Sequence, residues 1–298
     1  KLLIYGENFG TDASKVSVMI GGKKAVVINV KSTYIYCFVP SGAFSGEIEV
    51  SVGEGENLVT ATASTNFVYE KKMVVGTLCG YRNDRDDQGW KTGPFEDEYG
   101  NKYACGFSDV GFMAFDPHNK DHIYICYDGH KLIDLKARYL YDQMDINTIP
   151  TNRIRSVCFT KEVKDSETGE VYAEEGQYML IAIDYDSKGD ESPSVYIAKR
   201  NPDTGVFDNN SDVQLLASYK QCNGATVHPI NGEVYFNSYE KGQVFRLNLQ
   251  DYFKTLKKGE NWNSLVKTNT AFKQLFTIAD PSWEFQIEFH PTGKYAYI

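Results

Sequence analysis

The chain of 298 residues has the composition of a globular protein, with 42% hydrophobic and 24% charged residues, and it is long enough for two domains. No apolar run approaches the roughly 20 residues that a membrane-spanning helix needs. The 31 Lys and Arg residues against 40 Asp and Glu residues give a net charge of -9, which repels phosphate backbones and argues against a nucleic-acid partner.

The first seventy residues predict a β-sandwich, because short apolar or alternating runs follow one another with turn residues between them. The runs are "KLLIYG", "KVSVMIGG", "KAVVINVKS", "YIYCFVPSG", "GEIEVSVG" and "STNFVYE". Between two of these runs, Gly21-Gly22 permits the positive φ of a tight hairpin.

These runs together resemble an IPT/TIG domain, and the resemblance covers nearly all of residues 1–70. It implies an immunoglobulin-like sandwich of the kind found in cell-surface receptors and bacterial surface proteins. Such domains usually begin with a Pro-rich first strand that would precede Lys1. We therefore expect the chain to be part of a longer protein.

The region from Met73 onward predicts repeated units of four short strands. An apolar first strand opens each unit and is followed by Asp-Pro, His-Pro or Phe-Thr, where Pro presets the φ of a turn. The four opening strands are "FMAFDP", "SVCF", "ATVHP" and "IEFHP". A recurring unit of this kind indicates a stacked or radial β architecture.

The order of strands in these units resembles the blades of an NHL-type β-propeller, with an acidic insertion at residues 88–104. The resemblance implies an all-β protein in which residues 73–298 form about three and a half blades of a ring that usually has six. The opening strands would line the axis. Met73–Cys79 would be the outer strand of a closing blade, whose other strands we expect beyond Ile298.

One face of such a propeller carries the loops that join the second strand of each blade to the third, together with the loops that join each blade to the next. Aromatic rings stack on the C–H faces of sugars, and carboxylates and amides accept hydrogen bonds from hydroxyls. The aromatic and acidic residues of these loops are therefore candidate ligand-binding residues, although a chain with 21 Tyr and 17 Phe places aromatics in many loops. The candidates are Tyr127, Asp128, Tyr185, Asp186, Tyr239, Trp283 and Glu284.

Catalytic and metal motifs find little support. His118, His122 and His130 alternate over a turn and a strand, and we interpret them as a solvated turn. His228 and His290 occupy equivalent positions in two repeats, so we expect them to have a structural and not a chemical role. Residues 184–192, "DYDSKGDES", faintly resemble a calcium loop, but the closing Glu of such a loop is missing. We predict no cofactor and no catalytic residue.

The six cysteines show no C-x-x-C pair and no zinc-ligand spacing. Three of them lie within apolar β runs, where a free thiol behaves as a small buried hydrophobe. Cys79 and Cys105 flank a long loop and are the two that are placed to pair.

An IPT/TIG-like module before an NHL-like propeller resembles the surface proteins that accompany bacterial glycan-uptake systems. This implies a non-catalytic, extracellular or outer-membrane glycan binder, lipid-anchored in its full-length form, with the sandwich as a spacer. Expected partners are an oligosaccharide or polysaccharide and other surface proteins of the uptake system. Two alternatives stay open: a metal-dependent lyase or hydrolase, and a protein-protein scaffold.

Overall fold

The computed structural model describes residues 1–70, 75–80, 91–99, 105–107, 110–127, 129–145, 147–151, 153–238, 241–279 and 285–298. The chain divides into two compact units, Lys1–Gly76 and Thr77–Ile298. Both units consist mainly of antiparallel β-strands, so the predicted all-β class is confirmed. Within the described residues, no helix has the length and apolar character needed to cross a bilayer.

Seven strands form the two sheets of the first unit, and two single-turn 3-10 helices, Ala13–Lys15 and Gly55–Asn57, connect them. The strands are β1 Leu2–Tyr5, β2 Val16–Ile20, β3 Lys23–Lys24, β4 Val26–Lys31, β5 Tyr34–Phe38, β6 Ile48–Val52 and β7 Val59–Thr62. One sheet has the order β1-β5-β4 and the other β3-β2-β6-β7. The unit therefore has the predicted form of a sandwich.

Alternation along the strands builds the core of the sandwich. In β2, Val16, Val18 and Ile20 are buried while the residues between them are partly exposed. In β5, Ile35 and Cys37 are buried in the same way and belong to the same hydrophobic cluster. Successive side chains of a strand point to opposite faces, so each strand gives one face to the core.

The predicted tight turn at Gly21-Gly22 is present between β2 and β3. Both glycines have positive φ, 54° and 78°. A Cβ atom on Gly21 would lie 2.0 Å from the Phe44 carbonyl oxygen, so the close approach of the backbone also requires glycine there.

The second unit contains three larger antiparallel sheets and two short hairpins. Its strands are β8 Gly93–Pro94, β9 Val110–Phe115, β10 His122–Tyr127, β11 Gly129–Asp134, β12 Tyr139–Asp142, β13 Ile154–Phe159, β14 Val163–Lys164, β15 Val171–Ala173, β16 Tyr178–Ile183, β17 Pro193–Lys199, β18 Val213–Ser218, β19 Ala225–Val227, β20 Val234–Asn237, β21 Gln243–Leu247, β22 Phe272–Thr277, β23 Glu288–Phe289 and β24 Ala296–Tyr297. The sheets have the orders β8-β12-β11-β10-β9, β13-β16-β17-β18 and β19-β20-β21-β22, and the hairpins are β14-β15 and β23-β24.

Each larger sheet has the strand order of a propeller blade, with the first strand of its repeat at one edge. These first strands pack in series: β9 contacts β13, β13 contacts β19, and β19 contacts β23. The four predicted opening strands are therefore neighbours in space, as expected of strands that line the axis of a propeller.

Apolar side chains fill the space between neighbouring sheets. Tyr124, Val157 and Phe207 belong to the cluster between the first and second sheets. Phe236 and Phe245 belong to the cluster between the second and third sheets, with their rings stacked at 5.4 Å. Inter-sheet burial of this kind is the main stabilising contribution to the unit.

A buried ion pair joins the first sheet to the second. The Arg200 guanidinium donates to both carboxylate oxygens of Asp116, at 2.7 and 2.8 Å, and the Asp116 side chain is fully buried. Arg200 also donates to the Gly176 carbonyl and lies over the Phe207 ring, 4.6 Å from its centroid. Bidentate pairing of this type fixes geometry as well as charge.

Helix α1, Leu249–Lys257, occupies part of a segment whose helical character the sequence analysis missed. Asn248 caps its N-terminus, and its side chain accepts from the Gln250 amide. Tyr252 and Phe253 pack into the cluster beside the third sheet. The apolar residues of this helix follow helical spacing, which is the signal that was available in the sequence.

Trp262 caps the apolar cluster between the second and third sheets. Its indole nitrogen donates to the Leu216 carbonyl at 2.8 Å, and its ring packs edge-on against Tyr252 and Phe272. Its role is therefore structural.

The acidic insertion at residues 88–104 contributes a strand to the first sheet, since β8 pairs with β12 and Phe95 is fully buried beside it. The predicted outer strand Met73–Cys79 lies partly outside the described residues. Its described part, residues 75–79, contains no strand.

Candidate functional site

The second strands of the three sheets end at Tyr127, Ile183 and Asn237. In a propeller these ends lie on one face, where the sequence places the candidate site. Of its seven residues, Tyr185 and Asp186 are fully described by the structure. Tyr127 closes β10, but its side chain is not described. Asp128, Tyr239, Trp283 and Glu284 lie outside the described residues.

A buried carboxylate, Asp184, supports the described part of this face. It is 4% exposed, and its Oδ2 atom accepts from Arg153 at 2.8 Å and from two nitrogens of Arg155 at 3.0 and 3.2 Å. Arg155 is buried, whereas the side chain of Arg153 is half exposed. The network ties the residue after β16 to the start of β13, and Tyr185 is the next residue along the chain.

The loop after β18 adds a second support to this face. With the Gln221 amide oriented to satisfy both contacts, its nitrogen donates to Asp184 Oδ1 and its oxygen accepts from the Asp186 amide, each at 3.0 Å. Lys220 and Gln221 both have left-handed backbones, with φ of 54° and 56°. Two such residues in succession without glycine are uncommon and cluster at functional sites.

Tyr185 and Asp186 are exposed above this network, and Tyr185 is 39% exposed. The Asp186 Oδ1 atom accepts from the Ser192 hydroxyl at 2.9 Å and from the Gly189 amide at 3.1 Å. One carboxylate oxygen of Asp186 therefore stabilises the turn formed by residues 186–192. The arrangement presents an aromatic ring and a carboxylate on a braced loop.

The same loop also contains a small group of paired charges. Asp190 is exposed and pairs with Lys267 at 2.9 Å and with Lys220 at 3.3 Å. Hydrogen bonds from Lys267 and Lys220 lower the pKa of the Asp190 carboxyl below its usual value. These pairs orient the left-handed residue Lys220 at the edge of the face.

The acidic segment at residues 184–192 uses its carboxylates for protein contacts. Asp184 is engaged by two arginines, and Asp190 by two lysines. In the part of the chain that the structure describes, no group of three or more His, Cys, Asp or Glu side chains is arranged to hold a metal ion.

The interpretation of His118, His122 and His130 as one solvated turn is wrong for His122, which lies in β10 with its side chain 14% exposed, and for His130. His130 lies in β11, is 2% exposed and stacks on Tyr124 at 5.5 Å. Alternation along β11 directs it into the cluster between the first two sheets, where burial lowers the pKa of its imidazole to about 3. His118 contacts the Glu175 carbonyl, which joins its turn to the neighbouring sheet.

His228 and His290 have the architectural role expected of equivalent repeat positions. The Nδ1 atom of His228 accepts from the backbone amides of Ile230 and Asn231, and that of His290 from the amide of Thr292. Each histidine therefore closes the turn that follows its strand.

The six cysteines are free thiols. Cys79 and Cys105 pack in one cluster and lie within hydrogen-bonding reach of each other. Burial raises the pKa of the Cys79 thiol to about 12, with the neighbouring Cys105 adding to the shift.

A cavity of about 400 Å³ lies where the first and second sheets meet. The start of β11, the end of β12, the loop that follows β12 and the start of β13 line it, and His130 and Gln143 are among its lining residues. No pattern in the sequence indicates this cavity. Its walls combine residues between positions 129 and 154 with Asn209, which only the fold brings to them.

Comparison with known proteins identifies the first unit. The IPT/TIG domain family matches residues 1–69, which confirms the resemblance drawn from the sequence. No curated protein matches the chain.

Solved structures of Bacteroides proteins are similar to nearly the whole chain. A Bacteroides thetaiotaomicron protein with the provisional name of a phosphatase is 72% identical, with a TM-score of 0.69 over 99% of this chain and 62% of its own. Two proteins named as auxiliary nutrient binding proteins each match 99% of this chain and 60% of their own. The one from B. thetaiotaomicron is 33% identical with a TM-score of 0.52, and the one from B. ovatus is 25% identical with a TM-score of 0.66.

The chain thus spans 60–62% of the length of these solved relatives. It contains an IPT/TIG domain match at residues 1–69 and, over almost all of its length, is similar to proteins named for auxiliary nutrient binding.

Proposed function

We propose that this chain is part of a non-catalytic, surface-exposed carbohydrate-binding protein of a bacterial nutrient-uptake system. The observation that carries the proposal is the braced loop at the end of β16. There the exposed Tyr185 ring and the Asp186 carboxylate stand on a buried network centred on Asp184. A rigid aromatic platform beside hydrogen-bonding groups suits the apolar face and the hydroxyls of a sugar.

The names of the solved relatives support the nutrient-uptake part of this proposal. Two of them are called auxiliary nutrient binding proteins, which agrees with an extracellular or outer-membrane location. Lipid anchoring of the full-length protein, a spacer role for the sandwich and contact with other surface proteins of the uptake system belong to the same proposal.

A phosphatase is the second candidate function, because the 72%-identical protein carries that provisional name. A phosphate ester needs cationic or metal-held groups at its binding site. The face described here presents Arg153 beside carboxylates, and its lysines are paired with Asp190. We therefore favour binding of a neutral glycan.

A binding screen with an activity arm separates the two candidates. The protein is titrated by calorimetry with plant and host oligosaccharides, and each mixture is analysed for released sugars. A parallel sample is incubated with p-nitrophenyl phosphate. We expect at least one glycan to bind with no product released. Release of sugar or phosphate would assign the protein to the enzymes, and binding of no glycan would remove the carbohydrate proposal.

A further inference from the structure

Two buried polar residues at the cavity between the first two sheets have side-chain atoms without a hydrogen-bond partner among the described residues. Neither ring nitrogen of His130 has a partner among the described residues, and the same holds for the Oε1 atom of Gln143. His130 is 2% exposed and Gln143 is 8% exposed. Both residues are among those that line the cavity. Buried polar atoms in native proteins are nearly always paired with protein, water or ligand, so two exceptions at one cavity mark a place where a water or a bound polar group completes the pairing.

The surrounding structure fixes both side chains. The His130 ring is stacked on the Tyr124 ring with an interplanar angle of 11°. Gln143 donates from its side-chain nitrogen to the Asp142 carbonyl at 2.9 Å, and its backbone amide donates to the His130 carbonyl at 3.2 Å. The site is therefore preorganised, which reduces the entropy cost of binding.

The hydrogen-bonding groups that these residues offer are neutral. Burial keeps the imidazole of His130 uncharged at neutral pH, since its pKa is lowered to about 3. A neutral imidazole has one donor and one acceptor, and the Gln143 oxygen adds a further acceptor. A hydroxyl group, which both donates and accepts, matches this set.

The charges of the lining disfavour an anion. Among the described lining residues the one cation, Lys131, is ion-paired with Asp142. Asp145 uses its carboxylate to accept from residues of its own loop. A bound phosphate or carboxylate would be repelled by these two carboxylates, and the described lining offers no cation that is not already ion-paired.

Size and apolar contacts complete the chemical description. The volume of about 400 Å³ falls toward the lower end of the range of about 300–1,000 Å³ for small-molecule sites. Met144 and Ile154 supply buried apolar surface to the same cavity. A small neutral molecule with hydroxyls on a C–H framework fits all of these features.

We propose that this cavity is a binding site for a single neutral sugar unit, with His130 and Gln143 hydrogen-bonded to its hydroxyls. The choice of a sugar among polyols rests on the proposed function. β10 ends at Tyr127 of the predicted face, and β11 begins two residues later with Gly129, which lines the cavity. The cavity would take the end of a glycan whose following units lie on that face.

The test is saturation-transfer NMR and calorimetry with D-glucose, D-galactose, D-mannose, D-xylose, L-arabinose and N-acetyl-D-glucosamine. D-galacturonic acid and glucose 6-phosphate serve as anionic comparators. The variants are Gln143→Leu and His130→Phe. Gln214→Leu is the control, because Gln214 is an exposed residue of β18 outside the cavity. Circular dichroism checks that each variant is folded.

We expect at least one neutral sugar to bind, with an affinity at least tenfold lower in Gln143→Leu and unchanged in Gln214→Leu. His130→Phe should reproduce the loss. The anionic comparators should bind at least tenfold more weakly than the neutral sugar. If no neutral sugar binds, if an anion binds better, or if Gln143→Leu binds as well as the wild type, the cavity holds only water and the proposal is wrong.

The outcome is separable from that of the proposed function. Oligosaccharide binding that depends on Tyr185, together with no monosaccharide binding, would overturn only the cavity proposal. Monosaccharide binding that depends on Gln143, without any oligosaccharide binding, would overturn the face and leave the cavity in place.

Discussion

The Asp184 network makes a quantitative prediction about stability. In the Asp184→Asn variant, the side chain keeps its shape but loses the charge that Arg153 and Arg155 share. Removing one member of a buried ion pair typically costs about 3–5 kcal/mol, because it leaves an uncompensated buried charge. Arg153 is half exposed and can be solvated by water, so we expect the lower end, about 3 kcal/mol.

This loss should be visible by calorimetry or urea unfolding. For domains of 150–250 residues, 1 kcal/mol corresponds to about 2–4 °C, so the unfolding temperature of the Thr77–Ile298 unit should fall by roughly 6–12 °C. The matched control is Asp190→Asn, the same change in the same loop region at an exposed, solvated pair. Its unfolding temperature should stay close to that of the wild type.

The two variants together decide whether Asp184 braces the site. A destabilisation by Asp184→Asn below about 1 kcal/mol, or one equal to that of Asp190→Asn, would show that water solvates the network and would refute the reasoning. Affinity for a bound glycan should fall with stability in Asp184→Asn, since Tyr185 and Asp186 stand directly on this network.

Three further substitutions test other parts of the structure. Arg200→Ala should destabilise the protein by about 3–5 kcal/mol in urea unfolding, because buried Asp116 loses its bidentate partner. A cost under about 1 kcal/mol would show that the Arg200–Asp116 ion pair does not hold the first two sheets together. Tyr172→Phe should raise the pKa of the Asp165 carboxyl, which a hydrogen bond from the Tyr172 hydroxyl holds well below its usual value. A carboxyl whose pKa is lower in the folded state than its unfolded-state pKa of about 4 stabilises the fold at higher pH, and this stability is lost as the pH falls. The variant should therefore be less stable at neutral pH, and its stability should depend less on acid pH. An unchanged NMR titration of Asp165 would contradict this prediction. Ile35→Ala should cost about 2–5 kcal/mol in the sandwich core, measured by hydrogen exchange of residues 1–70, and unchanged protection there would be inconsistent with its full burial.

The β-sheets could be predicted from the sequence because their signals are local. Alternation in Val16–Ile20 and the Gly21-Gly22 turn specify a strand and its reversal within a few residues. The same holds for the opening strands of the second unit, whose order along the chain is also their order in space. The short pairing of Gly93–Pro94 with β12 escaped prediction because two residues carry no periodicity.

The supports of the site depend on contacts that no local pattern specifies. Asp184 meets Arg155 from 29 residues away and Gln221 from 37 residues away. The acidic run around Asp184 had suggested oxygen ligands, while the structure pairs this carboxylate with arginines. The burial of His130 could not be predicted from its local sequence either, because it depends on packing against Tyr124 and the neighbouring sheet.

The central claim is that Tyr185 is a stacking platform for a sugar. Calorimetric titration of the best-binding oligosaccharide into wild-type, Tyr185→Ala and Tyr5→Ala proteins tests it most directly, with Tyr5 as an exposed tyrosine of the sandwich unit. Removing one stacked ring should weaken binding by about 1 kcal/mol or more, roughly fivefold, in Tyr185→Ala alone. Equal affinity of the wild-type and Tyr185→Ala proteins, or equal losses in both variants, would contradict the claim.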